Sequence, residues 1–194
     1  YTVQAGDNGG LALSALQANG ATLTDTAGNA LNLALQGVAD LSGRSVDTQA
    51  PAVTSVAVPA AGSYGAQQTL DFDVHFSEDV VVDTAGGTPR LALDIGGSTA
   101  YASYLSGSAS NTLHFRYTVA GGLLDADGIA VGALQANGAQ LHDAAGNTAA
   151  LALNAVGSTG GVLVDSVAPQ VTGLGATTPI GGDGMFEHGG RFGA

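Results

Sequence analysis

One stretch of this sequence occurs twice. Residues 16–35 read LQANGATLTDTAGNALNLAL, and residues 134–153 read LQANGAQLHDAAGNTAALAL. Asp25 therefore corresponds to Asp143, an offset of 118 residues (143 − 25). The flanks agree, because SVDTQAPAVTSV in the first copy returns as LVDSVAPQVTGL in the second. Repetition at this length predicts an array of domains, each with a core of its own.

The repeat divides the chain into one complete unit and two partial ones. We predict that residues 1–47, the head segment, are the C-terminal part of one repeat and are unable to fold alone. Residues 48–165, the central unit, are predicted to be a complete repeat, and residues 166–194 to begin a third. The tail from about residue 180 departs from the repeat pattern. A window of a longer chain explains these parts more simply than a self-assembling fibre subunit, which stays open as an alternative.

The composition limits the possible partners. Apolar residues make up 45% of the chain but aromatic residues only 5%, so the core must be built from small and aliphatic side chains. Sixteen acidic and four basic residues give a net charge of −12, which disfavours nucleic acid as a partner and favours divalent cations. The alternative is that the acids only keep an extracellular protein soluble. Disulfides are excluded because there is no cysteine, and no apolar run is long enough for membrane insertion.

Apolar and polar residues alternate with a period of two. In TLDFDVHFSE and TLHFRYTV every second side chain is apolar, which is the pattern of a strand with one buried face. Clusters of Gly, Asn, Asp and Ser separate the strands. The sequence therefore predicts an all-β fold, an antiparallel immunoglobulin-like β-sandwich of seven to nine strands per repeat of about 118 residues. The predicted core includes Leu70, Phe72, Val74, Phe76, Leu91, Leu93, Leu113, Phe115 and Tyr117.

Two motifs carry a resemblance to a known family. Asp143-Ala144-Ala145-Gly146-Asn147 is followed by the V-D-x-x-A-P motif that ends at Pro169, and the same pair occurs at Asp25 and Pro51. This D-x-A-G-N and V-D-x-x-A-P pattern resembles the Ig-like tandem repeats of giant surface adhesins secreted by Gram-negative bacteria. The resemblance implies an extracellular, cell-surface protein of adhesion and biofilm formation. It also implies that the repeats are spacers or binding modules, many of which hold calcium near their junctions.

Acidic side chains crowd the predicted turns. If the strand near 52–58 leads away from Asp47, we expect the strands at 69–76, 90–95 and 112–119 to return to the pole of the central unit that faces Asp47. The oxygen donors expected there are Asp47, Glu78, Asp79, Asp125, Asp127, Asp143 and Asn147. Calcium binds about six to eight hard oxygen ligands, so we predict one calcium site at this junction. The alternative is that these acids only cap backbone groups in turns.

The other polar residues do not form the pattern of a catalytic centre. His75, His114, His142 and His188 lack the spacing of zinc ligands, and His75 and His114 fall on the polar faces of their strands. No G-x-S-x-G nucleophile motif accompanies an α/β pattern. We therefore do not expect an enzyme.

The expected function is a structural spacer or adhesive repeat, stiffened by calcium at its junctions. Its partners would be the neighbouring repeats of the same chain. One alternative is a module that binds glycans or another surface, for which Tyr64, Tyr101 and Tyr104 are the candidate stacking residues. A self-associating fibre is the other alternative.

Overall fold

The computed structural model describes residues 1–173 and 175, and it places them in an all-β fold of twelve strands. His188 and the atypical tail lie outside the described residues. The strands are β1 (Gly9–Gly10), β2 (Ser45–Val46), β3 (Val53–Ala57), β4 (Gly62–Tyr64), β5 (Thr69–Asp83), β6 (Arg90–Ile95), β7 (Ser98–Ser106), β8 (Ser110–Thr118), β9 (Leu124–Asp125), β10 (Ala130–Gln135), β11 (Gln140–His142) and β12 (Val162–Asp165).

The largest sheet is antiparallel and is organised around β5. Its strand order is β10-β6-β7-β8-β5-β11, and β3 also pairs with β5. The alternation of apolar and polar residues in TLDFDVHFSE ends after Phe76, but β5 continues to Asp83 as one strand of 15 residues. The pairing of β5 with β8 shifts register between His75 and Val80, and this shift lets one long strand serve different neighbours along its length.

The alternating pattern of β5 and β8 places their apolar side chains in a common core. Phe72 lies opposite Phe115 and Val74 opposite Leu113, and all four are buried. The predicted core is thereby confirmed, except that Tyr117 is only partly buried against it. On the other face of the same strands, His114 lies opposite Asp73 and Arg116 opposite Asp71.

A second, smaller sheet covers the core from another side. Its order is β4-β12-β9, and Val162 and Val164 of β12 are buried in the same hydrophobic cluster as the large sheet. The result is a β-sandwich-like architecture. The pairing of β12 with β4 is parallel, which departs from the predicted antiparallel arrangement. The two strands lie about a hundred residues apart in sequence, so no hairpin turn constrains their direction.

The head segment has little regular structure of its own. β1 pairs with β2, an isolated bridge joins Thr24 to Ala30, and most of the apolar side chains of the head segment are exposed. Among the described residues, no helix has the length and apolar character needed to cross a membrane.

Candidate metal site at the junction

Three carboxylates from distant parts of the sequence converge where the head segment meets the central unit. Asp47 follows β2, Glu78 lies in β5 and Asp143 follows β11. One carboxylate oxygen from each lies within 4.8 Å of the other two. We call these three residues the junction cluster.

The direction of the strands explains this convergence. β3 leads away from the junction and β5 returns antiparallel to it, with Val53 opposite Phe76, as the sequence predicts. The amide of Ser77 donates a hydrogen bond to the carbonyl of Ala52 at 2.8 Å, so Glu78 arrives beside the junction. β11 pairs with the far part of β5, His142 opposite Val81, which brings Asp143 to the same place.

Asp47 is held by contacts on both sides of its peptide. The side-chain amide of Asn147 donates to the Asp47 carbonyl at 3.2 Å. The amide of the next residue, Thr48, donates to Asn8 Oδ1 at 2.8 Å. Asp47 Oδ1 accepts the amide of Gln49 at 3.0 Å in a local turn. The backbone at Asp47 is therefore held at the junction, and its exposed carboxylate is oriented by one hydrogen bond.

Asp143 is buried, and its carboxylate is held by the loop that follows. Asn147 donates to it twice, from its backbone amide to Oδ1 at 2.8 Å and from its side chain to Oδ2 at 2.7 Å. Burial acts to raise the pKa of Asp143, but the hydrogen bonds from Asn147, Gly146 and Ala145 outweigh it, so that pKa lies below its ordinary value. Asp143 therefore remains a carboxylate at neutral pH.

Of the three carboxylates in the junction cluster, that of Glu78 has the least favourable surroundings. It is half-buried, and its Oε1 atom is shielded from solvent without a hydrogen-bond partner among the described residues. Desolvation raises the pKa of Glu78, and the negative charges of Asp47 and Asp143 raise it further. A buried acceptor without a donor is costly, and a cation would satisfy it.

The cluster borders an open cleft between the head segment and the central unit. The cleft has a volume of about 430 Å³ and is lined by Asn8, Gly9, Ser45, Val46, Asp47, Gln49, Ser77 and Glu78. Its oxygen-rich lining suits a hard cation such as Ca²⁺, which takes carboxylate, carbonyl and water ligands in flexible geometry. Zinc prefers nitrogen and sulfur ligands, and the cluster contains neither.

Three of the predicted ligands do not join this cluster. Asp79 neighbours Glu78 in β5 but is exposed and lies outside the group. Asp125 is buried elsewhere, where it accepts hydrogen bonds from the amides of Gly96 at 2.7 Å and Gly128 at 2.8 Å. Asp127 is exposed in the turn that follows β9.

The misplacement of Asp125 and Asp127 follows from the directions of β6 and β8. The prediction that both strands run toward Asp47 is wrong, because both run opposite to β5 in the sheet. β8 is antiparallel to β5, so Thr118 lies opposite Thr69 at the start of β5. The chain then enters β9, where Asp125 pairs with Val164 near the end of β12. Asp125 therefore serves as a hydrogen-bond acceptor for the turn between β6 and β7.

The described histidines make ordinary polar contacts. His75 Nδ1 lies 3.0 Å from Thr112 Oγ1, and His114 Nδ1 lies 2.6 Å from Asp73 Oδ1 across two strands. His142 Nδ1 lies 2.7 Å from the carbonyl of Asp143. Within residues 1–173 and 175, the converging group of potential metal ligands contains none of them.

The three tyrosines considered for stacking do not share one face. Tyr104 packs edge-on against Phe115, with ring centroids 5.9 Å apart, and Tyr64 packs against the core. Tyr101 is exposed on the opposite face of β7, where the guanidinium of Arg90 lies 3.9 Å from its ring centroid. A flat aromatic platform is therefore not formed by these residues.

The sequence reasoning missed Thr48 and Asn8, which hold the junction in place. Thr48 Oγ1 accepts the amide of Gly6 at 3.0 Å, and the Thr48 amide reaches Asn8. These pairs are about forty residues apart, and a polar residue in a Gly-rich turn carries no signal of such a contact. The position of Thr48 directly after Asp47 was the only available indication.

No protein-family model matches this sequence, and no curated protein or solved structure matches it significantly.

Proposed function

We propose that this chain belongs to a long extracellular spacer or adhesive protein of a bacterial surface, built from immunoglobulin-like repeats whose junctions are stiffened by calcium. The observation that carries the proposal is the convergence of Asp47, Glu78 and Asp143 at the point where two segments of the chain meet. A spacer needs stiff junctions, and a cation shared between a junction residue and the body of a unit provides them.

The chain's own residues prepare this site. Asp47 would give a ligand from the junction, while Glu78 and Asp143 would give ligands from the central unit. Calcium bound there would neutralise three adjacent carboxylates and satisfy the buried oxygen of Glu78. Asn147 would hold both Asp143 and the Asp47 peptide in the binding position, because its side chain contacts each of them.

The same local geometry recurs along the chain, which supports a repeated junction. Asp165 Oδ1 accepts the amide of Val167 at 3.2 Å, as Asp47 Oδ1 accepts that of Gln49. Asn29 donates to Asp25 from its amide at 2.9 Å and from its side chain at 2.8 Å, as Asn147 does to Asp143. In an array, each junction would join one acid of the Asp47 type to acids of the Glu78 and Asp143 types.

The test is a calcium titration of the purified chain, followed by calorimetry and thermal unfolding. At free calcium about 100 times Kd, binding to the folded state alone should add about 2.7 kcal/mol to the free energy of unfolding. Glu78→Gln and Asp143→Asn should weaken binding strongly. Asp79→Asn and Asp127→Asn are the matched controls, since both remove a nearby or similar acid that lies outside the cluster.

Two results would contradict the proposal. One is the absence of calcium binding by the parent chain. The other is binding that Glu78→Gln and Asp143→Asn leave unchanged, because the ion would then sit elsewhere.

A further inference from the structure

The head segment exposes apolar side chains whose counterparts in the central unit are buried. Adding 118 to each residue number gives the counterpart, as for Asp25 and Asp143. The exposed fractions are 45% for Leu11, 52% for Leu16 and 41% for Leu23. The corresponding fractions are 1% for Ile129, 5% for Leu134 and 3% for Leu141. Apolar side chains at matching positions therefore face solvent in one copy and a core in the other.

At two places the backbone of the head segment has the same local conformation as residues 119–165 of the central unit. Asn19 and Gly20 have φ values of 48° and 86°, and Asn137 and Gly138 have values of 49° and 89°. The amide of Leu31 donates to the carbonyl of Leu23 at 2.8 Å, and the amide of Ala149 donates to that of Leu141 at 2.9 Å. What covers these elements in the central unit is absent from the head segment.

In the central unit, the covering element includes the loop between β5 and β6. A Cβ atom placed on Gly138 would lie 2.3 Å from the carbonyl oxygen of Gly86, and the side-chain amide of Asn137 donates to the carbonyl of Thr88 at 3.0 Å. Around the corresponding Gly20, no atom of the described residues beyond its chain neighbours lies within 4 Å of that position. The head segment therefore offers a polar docking point as well as an apolar face.

The sequence of residues 1–3 indicates which segment would cover this face. Tyr1-Thr2-Val3 matches Tyr117-Thr118-Val119 at an offset of 116 (117 − 1), because the head segment is two residues shorter between this motif and Leu11. Tyr117 and Thr118 are the last two residues of β8. Val119 is buried, whereas Val3 is half exposed. If a strand like β8 is joined directly to Tyr1, the sheet that contains this strand stays close to the apolar face of the head segment. The covalent connection then gives a high effective concentration for docking.

Resting on the repeat organisation proposed above, we infer that the apolar face of residues 1–47 is the docking site for the first half of a preceding repeat in the same polypeptide. That half has the pattern of residues 48–116: a large antiparallel sheet with one apolar face and a Gly-Gly loop that receives the Asn19–Gly20 turn. A second copy of this chain is a poorer occupant, because its own residues 119–165 already cover its sheet and would have to be displaced.

The experiment is to fuse a copy of residues 48–116 in front of Tyr1, so that Tyr1 takes the place of Tyr117. Amide hydrogen exchange is measured for the parent and the fusion in the presence of a chelator, which separates this test from the calcium proposal. We expect exchange at Leu16, Leu23 and Leu31 to slow at least about tenfold in the fusion. Exchange in residues 48–165 is the internal standard and should not change.

Two controls sharpen the result. Phe72→Asp in the added copy places a charge in its core and should return the head amides to fast exchange. Leu23→Ala should lower the thermal stability of the fusion but leave the parent unchanged, whereas Leu141→Ala should destabilise both.

Fast exchange of the head amides in the fusion, with the central unit still protected, would overturn the inference. A second result would also overturn it: in the parent, protection of these amides increases with protein concentration while sedimentation shows a dimer. The occupant of the face would then be a second copy of the chain. Loss of calcium binding leaves both readouts unaffected.

Discussion

The side-chain amide of Asn147 donates a hydrogen bond to the backbone carbonyl of Asp47, although 100 residues separate the two. The same side chain donates to Asp143 Oδ2 at 2.7 Å. One amide group therefore connects the peptide at the junction to a buried carboxylate of the central unit. This connection sets the position of two of the three acids in the junction cluster.

Replacing Asn147 should loosen the junction. Asn147→Ala removes two side-chain hydrogen bonds and leaves the buried carboxylate of Asp143 with fewer donors, so we expect the central unit to lose about 1–3 kcal/mol of unfolding free energy. Calcium affinity should fall as well. Asn29→Ala is the matched control, because Asn29 makes the same contacts to Asp25 in the exposed head segment. Equal midpoints for Asn147→Ala and the parent in chemical denaturation would show that the connection contributes nothing.

The core of the central unit should depend strongly on Phe115. This ring is buried, lies opposite Phe72 and meets Tyr104 edge-on. Phe115→Ala should cost about 3–5 kcal/mol, measured by denaturant unfolding. The next residue points to the opposite face, where Arg116 makes two hydrogen bonds to Asp71 in solvent, so Arg116→Ala should barely change the unfolding midpoint. A cost below about 1 kcal/mol for Phe115→Ala would contradict the assignment of the buried face.

The alternating faces of β5 and β8 were predictable because each strand has one side in the core. The period of two then separates Phe72 and Phe115 from Asp71 and Arg116 without knowledge of the neighbouring strands. The convergence of Asp47 and Glu78 was also predictable, since β3 and β5 are adjacent in sequence and reverse direction.

The position of Asp125 could not be predicted in the same way. It depends on the direction of β8 and on the pairing of β9 with β12, which are joined by contacts across about forty residues. The parallel pairing of β12 with β4 has the same origin. Local alternation states which face of a strand is buried, but it does not specify the strand's distant partner.

Without calcium, Glu78 should make stability depend on pH. Its pKa is raised above the ordinary value of 4.5 in the folded state, mainly by desolvation and also by Asp47 and Asp143. Between the unfolded and folded pKa values the folded state binds more protons, so the free energy of unfolding falls as pH rises through this window. In chelator, Glu78→Gln should therefore be more stable than the parent at pH 7, and this advantage should disappear below the ordinary pKa of Glu.

Calcium should reverse the sign of that difference. With the ion bound, Glu78→Gln has lost a ligand and should unfold at a lower temperature than the parent at pH 7. Asp79→Asn removes the same charge one residue away and should show no reversal.

Asp143 contributes to the pH dependence with the opposite sign, because its pKa is lowered: its stabilisation is present above pH 3.8 and is lost as pH falls further. Thermal melts across pH 3 to 8, with and without calcium, measure both effects. If calcium does not reverse the stability difference between Glu78→Gln and the parent, the prediction for Glu78 is contradicted.

A pair of equivalent glycines should respond differently to the same substitution. Gly138 and Gly20 both occupy the second position of an Asn-Gly turn, with φ near +90°. Alanine at either site costs about 1–2 kcal/mol of backbone strain wherever the turn is formed. At Gly138 the added methyl group would also collide with the Gly86 carbonyl, so Gly138→Ala should lose a further 1–3 kcal/mol, about what overpacking costs.

Gly20→Ala should leave the thermal midpoint of the parent chain unchanged, because nothing packs on that turn and the head segment does not share the central core. In the fusion that supplies residues 48–116 ahead of Tyr1, Gly20→Ala should become as damaging as Gly138→Ala. The thermal midpoints of the parent, its two glycine variants, the fusion and the Gly20→Ala fusion test this. A Gly20→Ala fusion as stable as the unsubstituted fusion would mean that the added sheet does not receive the turn.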